Sequence, residues 1–234
     1  MIVNITGLCK PENIREVCQL DVDWIGLNFC QGSPRYLAQV SSRGGFIPDY
    51  TSIRDERLSL GSPVDTTVRQ ENKPLRVGLF CNEMPQTIVT RIYNFKLDFV
   101  QLEGDESPVM IENLRRTIEP DIRTGVKIIK TIHVSSAEDM KKGAEFEGVA
   151  DYLLFKAPAQ MDDVDEQPFN WDLIAHYEGS TPFLVGGAVG ADNVEKLRAV
   201  RHPLFAGVEV GAKFETEPGM IDVPALNDFL KLVK

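Results

Sequence analysis

Between Phe183 and Val194 the chain reads FLVGGAVGADNV, a short apolar run followed by paired glycines and a helix start signal at Asp192. This order predicts a strand, a tight turn and a helix, which is the repeating unit of α/β proteins. The turn also predicts an anion site. Gly186 and Gly187 lack a Cβ, so a phosphate could approach their N–H groups near the positive end of the helix. An ordinary strand-to-helix turn is the alternative interpretation.

Similar apolar runs recur along the chain and predict eight short strands, at Ile2–Thr6, Trp24–Phe29, Arg76–Phe80, Phe99–Leu102, Val126–Ile132, Tyr152–Phe155, Phe183–Gly186 and Gly207–Val210. Amphipathic stretches between them predict helices at Pro11–Leu20, Pro85–Phe95, Ser107–Ile118, Ala137–Phe146, Asp192–Val200 and Pro224–Val233.

This alternation favours a closed (β/α)8 TIM barrel that spans residues 1–234 as a single α/β domain. A doubly wound open sheet is the alternative, but the first strand is followed by TGLCKP and not by a G-x-G-x-x-G sequence. Residues 38–74 are rich in Ser, Gly, Pro and charge and have no helical period. We predict that they form an irregular insertion after strand 2.

The composition of the chain limits which binding partners and which cellular location we expect. A formal net charge of −10 argues against nucleic acid and acidic membrane surfaces as partners, although a few N–H groups can still hold one phosphate. The chain starts without a signal-type segment and has no apolar run of membrane-spanning length, so we expect a cytoplasmic protein. The four cysteines and three histidines share no metal-ligand spacing, and no metal site is predicted.

In a TIM barrel the residues at and just after the carboxyl ends of the strands face the reaction site. The sequences LVGGA and VEVGA, at the ends of strands 7 and 8, lie where such barrels commonly bind phosphate. The strand-end candidates are Thr6, Ser33–Tyr36, Asn82, Glu83, Glu103, His133, Phe155, Lys156, Gly186, Gly187, Glu209 and Gly211.

Several motifs at these strand ends match a known family. The chain has ITG at strand 1, GSPRY after strand 2, RVGLFCNE at strand 3, VQLEGDE at strand 4 and LVGG at strand 7. In this order they resemble phosphoribosylanthranilate isomerase, a (β/α)8 barrel of tryptophan biosynthesis. The resemblance implies an Amadori rearrangement of N-(5′-phosphoribosyl)anthranilate without metal or organic cofactor. The implied ligand is a small phosphorylated sugar or an anthranilate-type molecule.

The resemblance also assigns binding residues. Arg35 of SPRY matches the arginine that meets the anthranilate carboxylate, a pairing that suits a planar guanidinium. Gly186 and Gly187 match the phosphate loop of strand 7. Gly211 and Ala212 stand in the strand 8 loop, where the family pattern D-V-S-S-G-V-E becomes Glu209-Val210-Gly211-Ala212-Lys213-Phe214-Glu215.

The two proton-transfer positions depart from the family. The family pattern K-I-C-G carries a cysteine base, and here the sequence is Asn4-Ile5-Thr6-Gly7, so Thr6 takes the base position. The family pattern LLDT carries an aspartate acid, and here the sequence is Leu153-Leu154-Phe155-Lys156, which assigns Phe155 to the acid position. Neither side chain transfers protons near neutral pH, so the resemblance implies impaired or altered isomerase activity.

Three classes of function remain open. Displaced groups such as Cys9, Glu103 or Glu209 could support an active isomerase or another enzyme of sugar phosphates, with the two glutamates as a carboxylate pair. A noncatalytic barrel that binds a ligand or a partner is the third class. The sequence carries no signal of the oligomeric state.

Overall fold

The computed structural model describes residues 1–37, 74–158 and 167–234. Its strands are β1 (Ile2–Ile5), β2 (Trp24–Asn28), β3 (Leu75–Phe80), β4 (Phe99–Leu102), β5 (Lys127–His133), β6 (Tyr152–Lys156), β7 (Phe183–Val185) and β8 (Phe205–Val210), followed by a small hairpin of β9 (Glu215–Glu217) and β10 (Met220–Ile221). The α-helices are α1 (Pro11–Val17), α2 (Pro85–Phe95), α3 (Pro108–Ile118), α4 (Ala137–Met140), α5 (Val194–Ala199) and α6 (Val223–Val233).

Strands β1 to β8 form a closed barrel in sequence order, with every neighbouring pair parallel. Closure comes from β1 and β8, whose register runs from Ile2 opposite Gly207 to Ile5 opposite Val210. The predicted TIM barrel is therefore confirmed, and the open sheet is wrong. Nearly all of the predicted insertion at 38–74 lies outside the described residues.

Local sequence signals explain where the longer helices begin. Pro11, Pro85 and Pro108 each occupy the first turn of a helix, where the missing N–H costs nothing. Ser107 caps α3 by accepting a hydrogen bond from the Met110 N–H at 3.2 Å.

Three predicted helices are shorter than expected. The helix predicted at Pro11–Leu20 ends at Val17. The helix predicted at Ala137–Phe146 divides into α4 and a 3-10 helix, Lys141–Phe146. Gly143, within the 3-10 segment, packs so closely on β6 that an added Cβ would lie 2.8 Å from Leu153 Cδ1. The helix predicted at Asp192–Val200 begins as a 3-10 turn, Ala191–Asn193, and becomes α-helical only at Val194.

Successive side chains of a strand point to opposite faces, so the apolar residues of the strands form two layers. One face points into the barrel, where Trp24 and Phe99 pack with ring centroids 4.2 Å apart. This inner cluster consists of Trp24, Val77, Leu79, Phe99, Ile129, Leu154 and Leu184. The other face packs against the helices and carries the larger core. The same alternation decides which strand-end residues face the mouth of the barrel.

Within residues 1–37, 74–158 and 167–234, none of the helices combines the length and the apolar character that a bilayer crossing requires.

Candidate active site

The mouth, defined here as the carboxyl ends of the barrel strands with the residues directly after them, carries a polar cluster above the inner apolar layer. On β4, β5 and β6 a polar residue follows an inward-facing apolar residue by two positions, so its side chain points to the same face. The members of this mouth cluster are Asn4 and Thr6 from β1 and its end, Gln101 and Glu103 from β4, Thr131 and His133 from β5, Lys156 from β6 and Glu209 from β8.

Lys156 forms the centre of the cluster. Its Nζ makes a close ion pair with Glu209 Oε1 and lies 3.5 Å from Glu103 Oε1. Its aliphatic stem crosses Gly186, where an added Cβ would lie 2.9 Å from Lys156 Cε. Gly186 therefore leaves room for the lysine to reach β8, and one ammonium group is held between two carboxylates.

Amide and hydroxyl donors hold both carboxylates. Gln101 Nε2 donates to Glu209 Oε2 at 2.7 Å and also to Glu103 Oε1. Asn4 Nδ2 donates to Glu209 Oε2 at 3.2 Å, and Thr131 Oγ1 donates to Glu103 Oε1 at 3.1 Å. These bonds fix the orientation of both carboxylate groups.

The pKa of Glu103 reflects a balance of opposing effects. Burial raises it, but the Lys156 ammonium, the hydrogen bonds from Gln101 and Thr131 and the proximity of His133 together lower the pKa below its usual value. Glu103 is therefore a carboxylate at neutral pH.

This shift predicts a dependence of stability on pH. Because the folded pKa of Glu103 lies below its ordinary value of 4.5, its stabilising contribution is complete above that pH. The contribution declines as the pH falls through the folded pKa. We expect the difference in unfolding free energy between the wild type and Glu103→Gln, measured in urea, to be constant from pH 7 to 5 and to shrink below about pH 4.5. A difference that grows on acidification would contradict this assignment.

Phe155 does not face the mouth. Its side chain is completely buried in the outer layer, with ring centroids 5.2 Å from Tyr177 and 5.3 Å from Phe183. Leu154 points into the barrel, so Phe155 points out and Lys156 points in again. The expectation that Phe155 stands at the acid position of the mouth is therefore wrong, and Lys156 occupies that place at the end of β6.

The outward orientation of Phe155 predicts a purely structural effect. We expect Phe155→Ala to lower the free energy of unfolding by about 3–5 kcal/mol, because it empties space among buried rings. Phe155→Leu, which retains most of the volume, should cost about 1–2 kcal/mol. Urea denaturation measures both. A cost below about 1 kcal/mol for the alanine variant would place the ring at a solvent-accessible mouth instead.

Thr6 does lie at the mouth. It is 6% exposed, its N–H donates to the Val210 carbonyl at 2.9 Å, and Gly211 packs directly beside its Oγ1. By contrast, Cys9 packs against the outer core and its Sγ lies 3.6 Å from the Gly219 carbonyl oxygen. Burial raises the pKa of Cys9, which favours the neutral thiol over the thiolate that a displaced base would need.

Arg35 lies at the rim of the mouth and is already engaged by a carboxylate of the same chain. Its Nε and Nη2 donate to the two oxygens of Glu215, each at 2.6 Å. The approach of Glu215 depends on Gly7, which has φ +84° and no space for a Cβ. The guanidinium fork expected to meet a ligand carboxylate thus holds Glu215.

The two glycine loops lie side by side. The Gly186 N–H donates to the Phe155 carbonyl at 2.9 Å, while Gly211 leads into the 3-10 helix Ala212–Phe214. Lys213, which is about half exposed, lies 3.4 Å from Asp192 and so joins the loop after β8 to the loop after β7. The expected juxtaposition of these loops is therefore present, with a lysine between them.

Gly187 allows a direct test of the β7 loop. It has φ +96°, and an added Cβ would lie 2.7 Å from the Gln167 carbonyl oxygen. Gly148 has φ +80° but open space around it, so Gly148→Ala is a matched control for backbone strain alone. We expect Gly187→Ala to lower the unfolding free energy by at least about 1 kcal/mol more than the control in urea denaturation. Equal losses of unfolding free energy in the two variants would show that the loop shifts to avoid the contact with Gln167.

Metal binding has no structural basis in the described part of the chain, where no group of His, Cys, Asp and Glu side chains suits an ion. A cleft of about 810 Å³ lies away from the mouth, on the outside of the barrel, between the 3-10 helix Trp171–His176 and α5. It shares no residue with the mouth cluster.

Sequence reasoning placed Thr6, Glu103, His133, Lys156 and Glu209 at strand ends, but it chose Phe155 over Lys156 for the acid position and gave no role to Asn4, Gln101 or Thr131. These side chains donate hydrogen bonds to the carboxylates. Asn4 and Gln101 lie within the quoted motifs NITG and VQLEGDE, but the motifs assign no role to them. Counting alternate residues along β6 from Tyr152 would have identified Lys156 as the mouth-facing residue.

Comparison with known proteins matches this chain to a family of enzymes. The family model for N-(5'phosphoribosyl)anthranilate (PRA) isomerase matches residues 57–232. The N-(5'-phosphoribosyl)anthranilate isomerase of Parabacteroides distasonis is 31% identical over 233 residues, covering 100% of this chain and 93% of the relative. That of Phocaeicola vulgatus is 29% identical, covering 100% and 98%.

A solved structure agrees in fold. A crystal structure of phosphoribosyl anthranilate isomerase in complex with reduced 1-(o-carboxyphenylamino)-1-deoxyribulose 5-phosphate superposes with a TM-score of 0.71 at 22% identity, covering 100% of this chain and 98% of that one. With its barrel, its strand-end motifs and a match over most of its length, the chain belongs to the phosphoribosylanthranilate isomerase family of tryptophan biosynthesis.

Proposed function

We propose that this family member binds a small phosphorylated ligand at the mouth and turns over phosphoribosylanthranilate poorly. The observation that carries the proposal is the pair of residues at the proton-transfer positions. Thr6 lies at the end of β1, and Lys156 lies at the end of β6 in ion pairs with Glu103 and Glu209.

The family reaction needs a donor that protonates the ring oxygen and a base that takes the adjacent C–H proton. A threonine hydroxyl is not a base near neutral pH. Lys156 is paired with two carboxylates, and a lysine ammonium gives up a proton much less readily than a carboxylic acid does. Each missing group typically costs on the order of 10² to 10⁴ in rate.

Phosphate binding is supported by the adjacent glycine loops after β7 and β8. Gly186, Gly187, Gly211 and Ala212 are the proposed phosphate-binding residues, with Lys213 as a nearby cation. Gly186 contributes through its lack of a side chain, because its N–H already donates to the Phe155 carbonyl. The related crystal structure contains a ligand that is a 5-phosphate, which fits this assignment. The proposal treats residues 1–234 as one barrel domain that includes the insertion.

We expect the pocket to bind the anthranilate carboxylate more weakly than the phosphate. Arg35 can meet such a ligand only by sharing or releasing Glu215, which already fills the guanidinium fork. We therefore propose Arg35 as a binding residue whose affinity for a carboxylate is reduced by Glu215.

The test is a turnover assay with freshly generated phosphoribosylanthranilate and the purified full-length protein. We expect a rate at least about 10²-fold below the median enzyme rate of roughly 10 per second. Thermal shift with the reduced product analogue and with inorganic phosphate measures binding independently. Turnover within about tenfold of that median would overturn the proposal, as would the lack of any stabilisation by the analogue.

A further inference from the structure

We propose that the mouth catalyses proton transfer at the carbon next to the carbonyl group of an open-chain ketopentose 5-phosphate. Glu103 is the base, and the Lys156 ammonium stabilises the oxygen that becomes negative. This inference rests on the phosphate-binding half of the proposed function and adds a reaction to it.

The geometry that supports this reaction is a carboxylate next to a cation at the open end of the barrel. Glu103 Oε1 lies 3.5 Å from Lys156 Nζ, and their side chains are 16% and 13% exposed. A carbonyl oxygen that approaches the ammonium from the mouth would bring its neighbouring C–H bond toward Glu103. Placing a cation where charge develops is the principal electrostatic device of such reactions.

Glu209 serves as a positioning residue in this arrangement. It is 1% exposed, pairs with Lys156 and accepts hydrogen bonds from Asn4 and Gln101. A carboxylate so enclosed cannot reach a substrate carbon, but it anchors the ammonium. Glu103 is left as the carboxylate that can meet the ligand.

The step balances without an external reagent. Glu103 takes the proton from C1, the C–H electron pair forms the C1–C2 double bond, and the C2 carbonyl electrons move to oxygen as an enediolate beside Lys156. The proton then returns from Glu103 to C1, or to C2 after a proton moves between the two oxygens. Nothing is oxidised or reduced overall, and solvent hydrogen can replace the abstracted one before return.

The open-chain requirement follows from what the mouth lacks. Opening a furanose ring needs an acid at the ring oxygen, and Lys156 and Thr6 are both unsuited to that role. A ketopentose 5-phosphate cannot close a five-membered ring because its O5 carries the phosphate, so its carbonyl group is already free. It also has no carboxylate, which agrees with Arg35 being held by Glu215.

The experiment incubates the full-length protein with ribulose 5-phosphate in D2O and follows deuterium incorporation at C1 by NMR. We expect exchange at least about 10²-fold above a protein-free control, and a loss of about 10²-fold or more in both Glu103→Gln and Lys156→Met. Lys231→Met, an exposed change on α6, is purified in the same way and should retain the wild-type exchange. Urea unfolding and thermal shift with ribulose 5-phosphate establish that each variant folds and binds.

Two outcomes overturn the inference. No exchange by a wild type that binds ribulose 5-phosphate would remove the reaction while leaving the proposed ligand class intact. Equal exchange in the wild type and in a folded Glu103→Gln variant would remove Glu103 as the base. Failure of the proposed function is recognised separately, by phosphoribosylanthranilate turnover near the median enzyme rate or by the absence of ligand stabilisation.

Discussion

We expect the double variant Thr6→Cys with Lys156→Asp to convert phosphoribosylanthranilate at least about 10²-fold faster than the wild type. The first change supplies an ionisable thiol at the mouth end of β1. The second removes the ammonium between Glu103 and Glu209, at a cost in stability, and puts a carboxyl group at the same mouth-facing position of β6. Two neighbouring carboxylates disfavour ionisation of a third, so the new group should retain a proton and serve as an acid.

The matched control moves the same carboxyl group by one residue. Thr6→Cys with Phe155→Asp places the carboxyl group in the outer layer, between the rings of Tyr177 and Phe183. There it points away from the mouth. We expect no gain in activity and a large loss of stability, because the carboxyl group is buried among apolar groups. Initial rates of substrate consumption separate the two variants, and urea unfolding establishes that each variant is folded at the assay temperature. Equal rescue by both, or rescue by the Phe155 variant alone, would refute the orientation of β6 on which our proposal depends.

The barrel was predictable because its signals are local. Short apolar runs separated by helical stretches are read within windows of a few residues, and seven of the eight predicted strands begin within one residue of their place in the structure. The exception, β8, begins at Phe205 and not at Gly207. Gly207 lies in its interior, where an added Cβ would collide with the backbone of Ile2.

The mouth-facing residue at the end of β6 was not predictable from motif matching, because a shift of one residue on a strand exchanges its two faces. Matching LLFK to LLDT by letters selected Phe155, whereas alternation from Leu154 selects Lys156. The pairing of Arg35 with Glu215 joins residues 180 apart in sequence, and no local pattern indicates which side chain fills the guanidinium fork.

A second buried ion pair, on the outer side of β5, fixes the loop that carries Glu103. Lys130 Nζ lies 3.0 Å from Glu106 Oε2 and also contacts the carbonyl oxygens of Leu102 and Gly104. Glu106 Oε1 accepts a hydrogen bond from the Asn82 N–H at 2.8 Å. Lys130 thus holds the backbone on both sides of Glu103. Through Glu106 it also connects the end of β4 to the loop after β3.

Lys130→Met should therefore lower the unfolding free energy by about 3–5 kcal/mol, because it leaves the Glu106 carboxylate buried without its cation. The two side chains are 4% and 3% exposed, so solvent cannot replace the lost partner. Lys231→Met makes the same change at an exposed pair with Asp228 and should cost less than about 0.5 kcal/mol. The double variant Lys130→Met with Glu106→Gln should recover part of the loss, since the remaining side chain is neutral. Urea unfolding at pH 7 measures all three, and a cost for Lys130→Met as small as that of the exposed control would show that this pair does not hold the loop.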